Sequence, residues 1–166
     1  SNSVTISGLK AATVYTVKVV PVFIVNGTYA TDENQAGTLQ VFTSPNVVTG
    51  LKQTKATAKT ATLSWKKVSG ANKYYIVNSS RTKIIAKTTK TSVTIKKLKT
   101  GSANIYYVYA VKEFNKKNAI SQGKGLYVFT TPGKPTKLGD YKLGNYIWKP
   151  TESNQITIGW NRSKKD

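Results

Sequence analysis

An all-β chain built from a repeated, two-sheet antiparallel sandwich is what this sequence predicts, and three observations carry the prediction. The first is repetition. Thr5-Ile6-Ser7-Gly8-Leu9-Lys10 returns as Thr94-Ile95-Lys96-Lys97-Leu98-Lys99, an offset of 94 − 5 = 89, and Val41-Phe42-Thr43-Ser44-Pro45 returns as Val128-Phe129-Thr130-Thr131-Pro132, an offset of 128 − 41 = 87. Leu63-Ser64-Trp65 and Ile158-Gly159-Trp160 are 160 − 65 = 95 apart. A period near ninety is a whole small β domain, far longer than a solenoid repeat of about 20–50 residues. The second observation is alternation: Val, Ile, Thr and Tyr recur in short runs punctuated by Gly, Asn and Ser, as half-buried strands require. The third is that no segment shows an apolar stripe at helical spacing.

The phase of the repeat predicts three segments. Residues 1–45 are expected to be the last three strands of one domain, with Val4 and Ile6 in the first, Tyr15 to Ile24 in the second and Thr38 to Thr43 in the third. Residues 46–132 are expected to be a complete domain, and residues 133–166 the first two strands of another. In the middle segment seven strands are expected: Leu51 to Thr57, Thr60 to Trp65, Lys73 to Asn78, Lys83 to Lys87, Ser92 to Leu98, Asn104 to Lys112 and Gly125 to Thr130. Ala61, Leu63 and Trp65 share one face of their strand, opposite Thr60, Thr62 and Ser64. Val93 and Ile95 oppose Thr94 and Lys96 in the same way. The two inner faces are expected to interdigitate with Trp65 near the centre.

Composition narrows the chemistry. Cysteine and histidine are absent, which removes disulfides, thiol reactions, and the commonest general base and metal ligand. The six carboxylates, Asp32, Glu33, Glu113, Asp140, Glu152 and Asp166, frame no acid–base pair in sequence. No phosphate-binding loop, dinucleotide fingerprint or metal cluster occurs, so the expectation is a non-enzyme with no cofactor and no metal. No run of ~18 apolar residues occurs to span a membrane, and no signal peptide is recognisable. The chain contains no Met, even at position 1, and is expected to be a processed or excised piece of a longer protein.

Of the net charge of +20, residues 46–132 carry seventeen Lys and Arg against Glu113 alone, a net of +16. That field attracts polyanions at long range. The cations are nearly all Lys, which reads phosphate and base edges less specifically than Arg, so sequence-specific nucleic-acid binding is not expected.

The residues also resemble a known family. Gly50-Leu51 opening the first strand, Leu63-Ser64-Trp65 in the second and Val68-Ser69-Gly70-Ala71-Asn72-Lys73-Tyr74 leading into the third are similar to fibronectin type III domains. So are Leu98 at the fifth-to-sixth corner, Val108-Tyr109-Ala110 and Thr131-Pro132. The resemblance spans the middle copy and both partial ones, and is to the Lys- and Thr-rich versions in secreted or surface proteins of Gram-positive bacteria. It implies an immunoglobulin-like sandwich and a secreted or cell-surface location. In the first segment Leu9 through Tyr15 resembles the family's tyrosine corner. In the middle copy Asn104 stands six residues after Leu98, so the resemblance carries no corner tyrosine there.

Two kinds of candidate contact residue follow. Tyr75, Tyr107 and Tyr109 are expected to point outward from the sheet of the third and sixth strands, where they could meet a sugar or partner protein, or simply stabilise the face as cross-strand pairs. Tyr146 and Trp148 lie outside any matched strand and could meet a glycan or neighbouring domain, or cap their own domain. Lys66-Lys67, Lys96-Lys97 and Lys116-Lys117 are candidate polyanion contacts, or lysines guarding sheet edges. The leading functional expectation is a structural or spacer module linking other domains of its parent protein. One alternative is docking of the middle domain on anionic wall polymer or glycan. Another is head-to-tail self-association, in which incomplete terminal segments complement one another by strand addition.

Overall fold

Alternation in the first segment yields two separate hairpin-like pairs. In the computed structural model, residues 3–134 are described throughout, and residues 136–139, 142–143, 146–147 and 159–161 by their backbone. The first segment contains β1 (Val14–Val19), β2 (Val22–Val25), β3 (Thr28–Thr31), a 3-10 turn (Glu33–Gln35) and β4 (Gly37–Phe42). β1 pairs antiparallel with β4, setting Tyr15 opposite Val41 and Val17 opposite Leu39. β2 pairs with β3 through Asn26-Gly27, both at positive φ (49° and 78°), the backbone that a tight two-residue hairpin demands. The single strand expected from Tyr15 to Ile24 is broken at Val20-Pro21, because proline has no N–H to give a ladder. Val4 and Ile6 form no strand, and both are exposed.

The middle domain comprises β5 (Lys52–Ala56), β6 (Ala61–Ser64), β7 (Lys73–Val77), β8 (Ile84–Thr88), β9 (Ser92–Ile95), β10 (Ala103–Phe114), β11 (Lys117–Ile120) and β12 (Lys124–Phe129). The seven expected strands are all present, and β11 is an eighth. One sheet has the order β5-β6-β9. The other runs β11-β10-β7-β8, with β12 also paired to β10. Further along, β13 (Thr136–Gly139) pairs antiparallel with β16 (Gly159–Asn161), and β14 (Lys142–Leu143) with β15 (Tyr146–Ile147).

The core lies between the two sheets as the alternation dictates. Ala61, Leu63, Trp65, Ile95 and Val48 meet Tyr74, Ile76, Val108, Ala110 and Val128. Trp65 packs edge-on against Tyr74 with ring centroids 5.3 Å apart, and Val68 N–H donates to the Tyr74 hydroxyl at 3.0 Å. On the outer face of the smaller sheet Thr62 and Thr94 hydroxyls meet at 2.9 Å. Gln53 closes one open side of the sandwich: its side chain donates to the Phe129 carbonyl at 2.7 Å and accepts from the Phe129 amide at 3.0 Å.

The two copies superpose in sequence through the hairpin. β1 and β10 begin 103 − 14 = 89 residues apart, and β3 and β11 117 − 28 = 89 apart, whereas β4 and β12 begin 124 − 37 = 87 apart. The two residues are lost where 32–36, with its 3-10 turn, is replaced by the shorter 121–123. Where the first copy has Pro21, the middle copy has Ala110, whose N–H is satisfied by the Ser121 hydroxyl at 3.0 Å. β10 therefore runs unbroken for 12 residues.

Candidate functional site

Two places stand out from the sandwich itself. The first is the joint between the opening segment and the middle domain. Ala11-Ala12 turns the chain into β1, with Ala12 in the left-handed region at φ 51° and 5% exposed. It is seated against Gly70, in the loop before β7: a Cβ added at Gly70 would lie 2.6 Å from the Ala12 methyl and 2.9 Å from its carbonyl oxygen. Gly70 itself has φ 72°, so glycine is required there on both counts. Beside it Phe42, at the end of β4, meets Phe114, at the tip of the β10–β11 hairpin, edge-on with centroids 5.8 Å apart. Such a pair contributes about 0.5–1.5 kcal/mol beyond its burial. The hairpin that the sequence reading missed is thus the arm that reaches the neighbouring segment. The signal for it was present in the first copy as Asn26-Gly27 between two apolar runs.

A hydroxyl clasp fixes the chain on its way into this joint, and it recurs in the second copy. Thr43 Oγ1 donates to the Lys10 carbonyl at 2.6 Å and accepts from the Thr13 amide at 3.1 Å. Thr130 Oγ1 donates to the Lys99 carbonyl at 2.6 Å and accepts from the Ser102 amide at 3.0 Å. The backbone bonds repeat as well: Ala12 N–H to Ser44 O corresponds to Gly101 N–H to Thr131 O. The Tyr15 hydroxyl accepts from the Lys10 amide at 2.7 Å, forming the corner that the resemblance implied in the first copy.

The second place is the outer face of the larger sheet. Tyr75, Val77 and Val111 form a small buried cluster there with Tyr109 against it. Tyr75, expected to point to solvent, is only 8% exposed, because this face carries an apolar layer of its own. Tyr107 and Tyr109 are half-buried. Glycines just before and within β12 make room for them: a Cβ at Gly123 would stand 2.5 Å from the Tyr109 ring, and one at Gly125 2.9 Å from the Tyr107 ring. The ring faces are also covered by cations. The Arg81 guanidinium lies 4.1 Å from the Tyr107 centroid and Lys87 Nζ 5.2 Å from the Tyr75 centroid. Tyr107 holds the Arg81 guanidinium above its ordinary pKa, through hydrogen bonding first. What remains open is a depression of about 290 Å3 lined by Tyr75, Val77, Arg81, Ile84, Tyr109 and Ile120.

The lysine runs are exposed and scattered. Ser64 pairs with Ser92 and Ala61 with Ile95, so Lys66-Lys67 and Lys96-Lys97 lie at opposite ends of the β6–β9 pair. Lys116-Lys117 belongs to the hairpin of the other sheet. Glu113 is engaged by Lys73 in an ion pair. Tyr146 lies in β15, where only its backbone is described, and Trp148 is outside the described residues. Among the described residues no group of three or more His, Cys, Asp or Glu assembles, and no helix is long and apolar enough to cross a membrane.

Two packed antiparallel sheets with this strand order define an immunoglobulin-like β-sandwich of the fibronectin type III fold. The chain is similar to a two-domain fibronectin type III segment from chicken tenascin, at 21% identity over 74% of this chain and 68% of that one, with a TM-score of 0.51. It is also similar to FN3tt, at 25% identity over 54% of this chain and 97% of that one (TM-score 0.47). A third similar structure is domains d3–d4 of the rat CD45 extracellular region, at 15% identity over 76% and 68% (TM-score 0.44). The sequence matches no protein-family model and no curated protein.

Proposed function

We propose that the chain is a non-catalytic linking segment of a secreted or cell-surface protein, in which successive sandwiches are set at a fixed angle and hold other domains apart. The observation that carries this reading is the joint: Phe42 against Phe114, with Ala12 seated on Gly70. Domains within a chain move relative to one another by default unless a packed interface prevents it, and here aromatic and small residues are placed where they supply one. The extracellular setting is an inference from the fold, which is widespread among cell-surface domains. Residual dipolar couplings test the reading. β1 and β4 are expected to share one alignment tensor with the middle domain, and Phe114→Ala to separate them. Independent tensors in the parent chain would end it.

A second reading is favoured by charge. Every acid but Glu113 is missing from residues 46–132, and that one is neutralised by Lys73, so the middle domain offers an anionic wall polymer or glycan an almost unopposed positive field. Binding of this kind weakens steeply with salt as the Debye length falls from ~10 Å at 0.1 M to ~3 Å at 1 M. Absence of binding to a polyanion such as heparin at low salt rules it out.

Self-association is favoured by one feature of the first segment. Tyr15, Val17, Leu39 and Val41 line an apolar groove of about 480 Å3 with Val4 and Ile6 at its edge. Strands of another copy could cover it, and sedimentation of a monodisperse monomer would dismiss that.

A further inference from the structure

The joint at Gly70 has two halves, and the middle domain contains the parts of both. At one pole it offers Gly70 and Phe114 to the preceding segment. At the other pole stand the counterparts of what that segment offers in return. Gly101 corresponds to Ala12 and Phe129 to Phe42, and the clasps around them match bond for bond. We propose that Gly101 and Phe129 form the receiving half of a second joint. Its occupant is the loop end of a following sandwich domain of the same chain, the domain that residues 133–166 open.

Three observations support this surface and this occupant. The first is exposure. Phe42 is half-buried under Phe114, whereas Phe129 is 55% exposed and Tyr127, two residues before it on the same face, is 65% exposed. Pro45, in the first linker, is buried, and its counterpart Pro132 is exposed. The second is fixation. Phe129 is gripped through both backbone groups by Gln53 and followed at once by the Thr130 clasp, so an exposed aromatic is held in a set position. Holding a contact residue in place before binding removes much of the ordering cost of a joint. The third is composition. The positions beside Phe42 are Val14, Thr16 and Gln40, and their counterparts beside Phe129 are Ala103, Ile105 and Tyr127. The second receiving surface is the more apolar of the two, and it continues the geometry of an interface already formed at the other pole of the same domain.

This inference rests on the linking-segment reading, and a single tandem chain separates the two. The middle domain has a complete core, so residues 1–132 can be followed directly by a second copy of residues 46–132, which brings its own Gly70 and Phe114 to the first copy's Gly101 and Phe129. Residual dipolar couplings then report both joints at once. The expected result is one alignment tensor shared by all three parts. Phe129→Ala in the first copy, or Phe114→Ala in the appended copy, abolishes sharing at the second joint while the first stays intact. Phe114 lies at a hairpin tip outside the core, so that variant remains informative should Phe129→Ala disturb the domain itself. A second joint that is loose from the start while the first is rigid overturns the inference and leaves the linking reading standing. A shared tensor that survives both variants also overturns it. Loss of sharing at both joints in the unmodified tandem chain overturns both readings together.

Discussion

Thr130 Oγ1 donates to the Lys99 carbonyl at 2.6 Å while receiving the Ser102 amide at 3.0 Å, so the hydroxyl of one buried threonine ties the end of β12 to the corner before β10. The middle copy has no corner tyrosine, and this clasp serves the same chain crossing. Thr130→Val keeps the shape and removes the hydroxyl, leaving the Ser102 amide without its partner while the Lys99 carbonyl keeps its bond from the Ser102 hydroxyl at 2.6 Å. A loss of roughly 1 kcal/mol is expected, the low end for leaving a part-buried polar group unsatisfied. Urea unfolding of the middle domain measures it, and a loss within error of zero removes the clasp as a stabilising element.

Gly70→Ala is expected to act on the joint rather than on the core. The new methyl would stand 2.6 Å from the Ala12 methyl at a φ of 72°, where an L side chain costs roughly 1–2 kcal/mol in backbone strain alone. Dipolar couplings of β1 and β4 should part from those of the middle domain while its amide spectrum away from the loop stays unchanged. Chemical-shift changes spread through β6 and β9 instead would place the damage in the sandwich.

Trp65→Ala removes the largest side chain of the core, 5% exposed and stacked edge-on against Tyr74 at 5.3 Å. A cost of about 3–5 kcal/mol is expected, in the range for aromatic truncation in a core. The indole N–H meets no acceptor among the described residues, so Trp65→Phe forfeits no hydrogen bond to them and should cost clearly less. Equal midpoints for the two variants would contradict that ordering.

Alkali should weaken the middle domain. The Glu113 carboxylate, chiefly through its hydrogen bond, raises the Lys73 ammonium above its ordinary 10.5, and burial raises the Tyr106 phenol above its ordinary 10.0. Both groups hold their proton more tightly folded than unfolded. Their contributions are therefore complete below those ordinary values and are lost as pH climbs through the raised ones. Denaturant midpoints should fall across that window, and less steeply in Glu113→Gln and in Tyr106→Phe. A midpoint that rises with pH there would reverse the sign.

Gly123→Ala tests the packing of the outer face. Its methyl would lie 2.5 Å from the Tyr109 ring, and crowding of this kind costs about 1–3 kcal/mol. Near-ultraviolet circular dichroism should change along with stability, since the ring must leave its seat. A spectrum identical to the parent's would show that the ring has slack.

The sandwich was legible because burial follows the pleat. Ala61, Leu63 and Trp65 alternate with Thr62 and Ser64, and that period-two pattern survives any detail of packing. The second apolar layer was not legible in the same way. Tyr75 and Val77 lie on the face that alternation assigns to solvent, and what buries them is their cluster with Val111 and Tyr109, with Lys87 over the Tyr75 ring. Those partners are distant in sequence and follow no period. The break at Pro21 and the hairpin at Asn26-Gly27 carried local signals that a strand-by-strand reading passed over. The joint carried none in either segment alone: Ala12, Phe42, Gly70 and Phe114 acquire meaning only once the two copies stand end to end.

The fit of Ala12 onto Gly70 has a bearing on neighbour order. One methyl occupies the room that a missing side chain leaves, and at the corresponding place in the middle copy Gly101 offers no methyl at all. The first socket demands glycine at the facing position, because a methyl there would meet the Ala12 methyl, while a Gly101 socket accepts glycine and has room for a larger residue as well. The proposed second seam is thus the more tolerant of the two at this position. A residue larger than glycine at the facing position is then excluded from the first seam and tolerated at the second, even though every sandwich keeps its own core.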